Sequence, residues 1–187
     1  MKTFIQTILI IFISFLSPHI NANEQEKNFS IGLGTYSVTL NYSESSPPVE
    51  DDKFSGGAIS LTYAFNNNVA IRGYLFATEH DEVSILEASG TDIALLGGSG
   101  LLTNGFKIYG GGGLFTETWE VSGTSAEEDF SGIQFVGGLG YNWDVVAIDL
   151  SLALRDAQDY ADFIGRVVGG SGKVAVSVVA FTVSARF

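Results

Sequence analysis

The sequence predicts an all-β protein: an eight-stranded antiparallel up-and-down transmembrane β-barrel, preceded by a cleavable signal peptide. Three observations predict it. Apolar residues recur at every second position through most of the chain after residue 28, the period of a strand with one apolar face. The charges inside these stretches fall on the opposite face. The connections alternate between short turns and long polar segments, the layout of a barrel with tight turns on one side of a membrane and loops on the other.

The first element is the leader. Lys2 precedes an apolar run from Phe4 to Leu16, Pro18 breaks it, and small or polar residues follow to Ala22. This is the order of a secretory signal peptide, with cleavage expected after Ala22. Residues 1–22 are therefore read as the signal and 23–187 as the barrel. The run is shorter than the roughly 20 apolar residues of a membrane-spanning helix. Cysteine is absent, so there is neither a disulfide framework nor a lipoprotein attachment site.

The composition of the remainder sets limits. Removing Lys2 leaves eight of the nine Lys and Arg against all 21 Asp and Glu, a net charge of −13. A nucleic-acid partner is excluded on that ground, because phosphate binding needs a basic face. Yet mean hydropathy over the full chain is +0.26, with 23 glycines and 12% aromatics. No later stretch is long and apolar enough for a membrane helix, so the apolarity is assigned to strands that face lipid on one side.

The strands follow in order. Phe29, Ile31 and Leu33 share a face of the first. The second sets Ile59, Leu61, Tyr63 and Phe65 against Ala58, Ser60, Thr62 and Ala64, and ends at a turn at Asn66–Asn68. The third sets Val69, Ile71 and Leu75 against Arg72, Tyr74 and Phe76. In the fourth, Ile93, Leu95 and Leu101 are assigned to the apolar face. Thr103–Gly105 carries the strongest hairpin signal in the chain. The fifth sets Phe106, Ile108 and Leu114 against Lys107, Tyr109, Phe115 and Glu117. The sixth sets Ile133, Phe135, Leu139, Tyr141 and Trp143 against Gln134, Val136 and Asn142, and a turn follows at Asn142–Asp144. The seventh sets Val146, Ile148, Leu150, Leu152 and Leu154 against Ala147, Asp149, Ser151 and Arg155. The last sets Val179, Phe181, Val183, Ala185 and Phe187 against Ala180, Thr182, Ser184 and Arg186. Long polar segments are expected at Ser43–Lys53, Glu79–Gly90, Glu120–Asp129 and Asp156–Gly172. An even strand number puts both ends of the barrel on the short-turn side.

Charge placement tells lipid from water. A charge facing lipid at mid-bilayer costs roughly 2–4 kcal/mol. Arg72, Lys107, Glu117, Asp149, Arg155 and Arg186 all lie opposite the apolar series. They are read as a lumen charge network, with Glu117 pairing Arg155 in the outer half and Asp149 pairing Arg186, Lys107 or Arg72 in the inner half. Phe29, Phe65, Phe106, Trp143 and Phe187 stand at the short-turn ends of five strands, on their apolar faces. They are read as the aromatic belt of one membrane interface. Trp119, Phe130, Tyr42 and Phe54 are the candidates for the other.

With these features the chain resembles the small outer-membrane barrels of Gram-negative bacteria, in particular the OmpX/Ail-like and OmpA-barrel-like group. A terminal Phe187 preceded by Val179, Phe181 and Val183 is similar to the signal by which that class is recognised for insertion. The resemblance implies outer-membrane lipids and lipopolysaccharide as surroundings, and the barrel-assembly machinery as a partner during insertion. It carries over no adhesive motif.

The residues that could do chemistry are few. After signal removal the only histidine is His80, in "ATEHDEVS" beside Asp81, Glu82 and Ser84. It is read as a solvated loop residue, with a catalytic base as the alternative. The glycine clusters Gly97–Gly100, Gly110–Gly113 and Gly137–Gly140 lack the Lys-Ser/Thr of a phosphate loop and are read as sites of curvature. The acidic loops are read as a solvated face, with divalent-cation bridging to lipopolysaccharide phosphates or a host or surface protein as alternatives. The functional expectation is a non-enzymatic outer-membrane barrel with a side-chain-filled lumen, serving envelope integrity or surface contact, with no catalytic residue, metal or cofactor. A narrow ion or small-solute channel is the first alternative, a lipid A- or phospholipid-modifying enzyme the second, and a soluble periplasmic barrel or sandwich the alternative fold.

Overall fold

The computed structural model describes residues 27–43, 51–168 and 173–187. The expected signal peptide lies outside the described residues, as does most of the segment joining the first two strands.

Eight strands run in chain order: β1 Phe29–Ser43, β2 Asp52–Ala64, β3 Val69–His80, β4 Leu86–Ser99, β5 Gly105–Val121, β6 Glu127–Asn142, β7 Val146–Arg155 and β8 Lys173–Arg186. Each pairs antiparallel with the next, and β8 pairs with β1 from Arg186 opposite Ser30 to Lys173 opposite Ser43, closing the sheet into a barrel. Phe29 and Phe187 exchange both backbone hydrogen bonds at the seam. Closure leaves no edge strand, which is the condition for a sheet to exist in lipid.

The alternation that defined the strands also sorts inside from outside. Leu75, Leu95, Leu114, Phe135, Leu154 and Val179 lie on the outer surface. Their neighbours at odd spacing, from Tyr36 to Arg186, are buried in the lumen. An apolar outside around a charged inside is inverted relative to a water-soluble barrel, and its outer face matches a hydrocarbon layer. With eight strands the bore is narrow enough for side chains to fill it.

Glycine makes the bore this tight. A Cβ on inward-facing Gly34 would collide with the Phe181 carbonyl oxygen of β8, and one on Gly113 with the Ile93 carbonyl of β4. A Cβ on outward-facing Gly57 would meet nothing nearer than 3.7 Å. Strong coiling thus needs glycine at inward positions, in keeping with the curvature role read from the clusters.

Three features depart from the sequence reading. The acidic stretches Glu79–Gly90 and Glu120–Asp129 are partly strand: β3 and β4 pair up to Glu79 opposite Glu87, and β5 and β6 up to Glu120 opposite Glu127. The ladder continues past the apolar belt because backbone pairing does not depend on side-chain polarity. Asp156–Gly172 contains a helix, α1, Gln158–Val168. Asp156 caps it by accepting the Gln158 N–H, Asp159 lies in its first turn and Arg166 in its last, complementing the helix dipole. The β4–β5 connection is broader than a two-residue hairpin. Gly100 and Gly105 take positive φ of 77° and 119°, and Leu101 and Leu102 tuck against Ala64, Ala70, Leu96 and Tyr109 at the bore's inner end.

Replacing Gly34 by Ala should therefore destabilise the barrel by at least the roughly 1–3 kcal/mol of an overpacked core. Gly57→Ala should be tolerated. Urea unfolding of the refolded protein, followed by heat-dependent gel migration, compares the two.

Candidate functional site

The lumen holds two tiers of charge. In the outer tier, Arg155 at the end of β7 faces carboxylates from two other strands. Its Nη1 donates to Glu117 Oε2 at 2.5 Å and its Nη2 to Asp92 Oδ1 at 3.0 Å. Tyr36 accepts from Arg155 Nη2 at 2.8 Å and donates to Asp92. Trp119 Nε1 and the Tyr160 hydroxyl both donate to Glu117 Oε1, at 2.6 and 3.1 Å. The guanidinium also lies 4.4 Å from the Phe115 ring centroid and 5.4 Å from that of Phe76. In the inner tier, Asp149 is held by Arg72 at 3.1 Å and Lys107 at 2.5 Å. Tyr109 donates to Asp149 Oδ1 at 3.1 Å and accepts from Arg72 at 2.6 Å.

All six residues assigned to the lumen network are buried. Five belong to the two tiers, and Asp92 joins them. Arg186 does not pair with Asp149. It sits at the inner end, where it donates to the backbone carbonyls of Trp143 and Leu102 and to Asn104 Oδ1 at 2.8 Å. The reason is reach: Arg186 is the last residue of β8, level with the turns, whereas Asp149 lies three residues into β7. It ties two turns across the bore, and Asn142 adds bonds to the carbonyls of Gly100 and Thr103.

The outer mouth is filled by aromatics. Tyr160 of α1 is fully buried and stacks on Phe130 at 4.3 Å, beside Trp119 at 6.1 Å. Trp119 meets Phe54 at 4.7 Å. Phe163 of α1 packs on Trp119 and Phe130 from above. Trp119, Phe130 and Phe54 therefore belong to a lumen plug, and Tyr42 packs against the same cluster. None of the four forms an outer interface belt. Their parity was the missed signal: Trp119 shares a face with Glu117, and Phe130 with Gln134. The helix was also legible, from Tyr160, Phe163, Ile164 and Val167 at helical spacing after a capping Asp156.

Phe29, Phe65, Phe106, Trp143 and Phe187 are all exposed at the opposite end, with Tyr63 and Tyr141 beside them. Val179, Phe181 and Val183 are exposed along β8.

His80 is buried, which corrects its reading as a solvated loop residue. It ends β3 on the inward face, edge-on to Phe54 at 5.0 Å. Its Nδ1 accepts the backbone N–H groups of Glu82 and Val83, and its Nε2 lies 3.0 Å from Asp52 Oδ1. Nδ1 thus holds the β3–β4 turn, and Nε2 ties the end of β3 to the start of β2. In that turn, a hydrogen bond from Ser55 and then the Lys53 ammonium at 3.2 Å hold the Asp81 carboxyl below its ordinary range.

The outer rim carries a different arrangement. Glu79, Glu87, Glu120 and Glu127 are directly opposed on β3, β4, β5 and β6 and are all exposed on the outward face. Like charges directly opposite one another on a sheet repel.

No family model matches the chain, and neither does any curated protein. Solved structures do. Ail, the attachment invasion locus protein of Yersinia pestis, is 19% identical over 87% of this chain and all of its own, with a TM-score of 0.53. Neisserial surface protein A is 14% identical over 88% of this chain and all of its own, at 0.62. OprG of Pseudomonas aeruginosa is 14% identical over 87% of this chain and 97% of its own, at 0.52. The chain has the fold of the small eight-stranded bacterial outer-membrane barrels.

Two expectations follow. Asp149→Ala leaves Arg72 and Lys107 buried without their anion, and should cost about 3–5 kcal/mol in chemical unfolding. Replacing the four rim glutamates by Gln should raise the unfolding midpoint at low ionic strength. That gain should shrink with added salt as screening takes over.

Proposed function

We propose that the protein is an integral barrel of the bacterial outer membrane that acts from its outer surface and catalyses no reaction. Residues 1–22 would direct export and 23–187 would form the barrel. Phe29, Phe65, Phe106, Trp143 and Phe187 would lie at the periplasmic interface, where aromatic rings suit the headgroup level. Val179, Phe181, Val183 and Phe187 would be the strand presented to the assembly machinery.

One observation carries this reading: the described residues close the bore at both ends. Tyr160, Trp119 and Phe130 close it outside, the two charge tiers fill it, and Leu101, Leu102 and the Arg186 clamp close it inside. A barrel whose described residues leave no open path has its outside left to act with. That outside ends in an acidic rim, with the glutamate row on β3–β6 at the level where strands leave the apolar belt. Contact with the cation-rich phosphate layer of lipopolysaccharide, or with a basic protein surface, fits that charge. A Yersinia Ail structure holds the heparin analogue sucrose octasulfate; the rim here would repel such a polyanion.

Purified protein in planar bilayers should show no steady conductance. A deletion strain should lose barrier function or surface contact, and should be rescued by the wild type but not by the four-Gln rim variant. A sustained open channel from pure protein, or full rescue by the rim variant, would overturn the reading.

A further inference from the structure

Two buried polar atoms in the middle of the lumen have no partner, and they are neighbours. Gln134 and Arg155 stand directly opposite each other in the β6–β7 pairing, both facing inward. Gln134 turns its Nε2 to the Leu114 carbonyl at 3.4 Å, which orients the amide and leaves Oε1 as an unpaired acceptor. Arg155 uses both terminal nitrogens on the outer tier, and its Nε–H is an unpaired donor. Leaving such groups unbonded in a low-dielectric interior is costly. One is a donor and the other an acceptor, and directly opposed residues have Cβ atoms only about 4.5–5.5 Å apart.

Gln134, but not Arg155, lines a cavity of about 20 Å³. Its wall includes Gln134, Asp92 and Tyr36 of the outer level, Arg72 of the inner tier, and Tyr74 and Ser151 between them. The Tyr74 and Ser151 hydroxyls are 3.4 Å apart. A space that admits the centre of a water over about 10–15 Å³ or more holds one molecule, provided that two to four polar groups line it. This cavity meets both conditions.

We propose that the lumen contains a specific site for a single water molecule in this cavity, which donates to the unpaired Gln134 Oε1. Its second proton reaches the Tyr74–Ser151 pair or Asp92. The water sits where Tyr36 and Asp92 of the outer level and Arg72 of the inner tier line one space. It is a structural ligand, part of the filled bore and not a conduction path.

Water-oxygen relaxation dispersion on the refolded barrel, with water itself as the probe, tests this. The wild type should show a long-residence water, and the dispersion amplitude should fall by one molecule in Ala153→Val, which fills the cavity from its apolar wall. Ala94→Val fills it from the other side and serves if the first variant does not fold. Filling should also lower the thermal midpoint, because it strands Gln134 Oε1. A wild-type barrel with no long-residence water overturns the proposal, as does an amplitude unchanged by a folded filling variant. A folded filling variant with a raised midpoint, the signature of a dry void, overturns it too.

Discussion

Everything in this molecule depends on the pairing of β1 with β8. A sheet inside hydrocarbon has no water to satisfy its outer strands, and each orphaned N–H or C=O there costs several kcal/mol. Closure over the full length of β1, from Ser30 to Ser43, removes that cost for the whole ladder. It also divides the chain into two surfaces that never mix. Every second side chain meets the exterior, and the rest are committed to a bore that an eight-stranded circumference makes narrow.

That commitment explains why the lumen is charged yet stable. Arginine and lysine are costly on the outer face within the apolar belt, and inside they are tolerated only with partners. The partners come from different strands: Arg155 of β7 meets Glu117 of β5 and Asp92 of β4, and Arg72 of β3 meets Asp149 of β7. Each tier therefore ties strands across the bore that are not hydrogen-bonded neighbours. Aromatic faces on Arg155 and Arg72 supply further contact in place of water. The glycines serve the same end, since inward positions such as Gly34 and Gly113 let neighbouring strands coil closely enough for these charges to meet.

The two ends are finished by different means. At the inner end, backbone carbonyls of the turns receive Arg186 and Asn142, and two leucines fold under the bore. At the outer end a helix delivers two aromatic side chains, Tyr160 and Phe163, onto a cluster built on β2, β5 and β6. The inner end is closed by polar clamping of short turns. The outer end is closed by stacking, from a segment long enough to fold back over the opening.

By itself the sequence determined the barrel. Period-two alternation, an apolar series always opposite the charges, and alternating connection lengths are local properties of a chain whose strands each see lipid on one side and lumen on the other. Inside and outside were legible at Arg72, Glu117 and Leu154 for that reason. Only the tertiary structure decided which charges meet, because height in a barrel depends on stagger between strands and not on position along one; so Arg186 clamps turns while Asp149 takes Arg72 and Lys107. It alone showed the acidic stretches rising as paired strands, since pairing beyond the belt leaves no apolar pattern. It alone brought Trp119, Phe130, Phe54 and Tyr160 together in the mouth and enclosed His80. Those contacts join residues far apart in the chain, and nothing local to any of them encodes the partner.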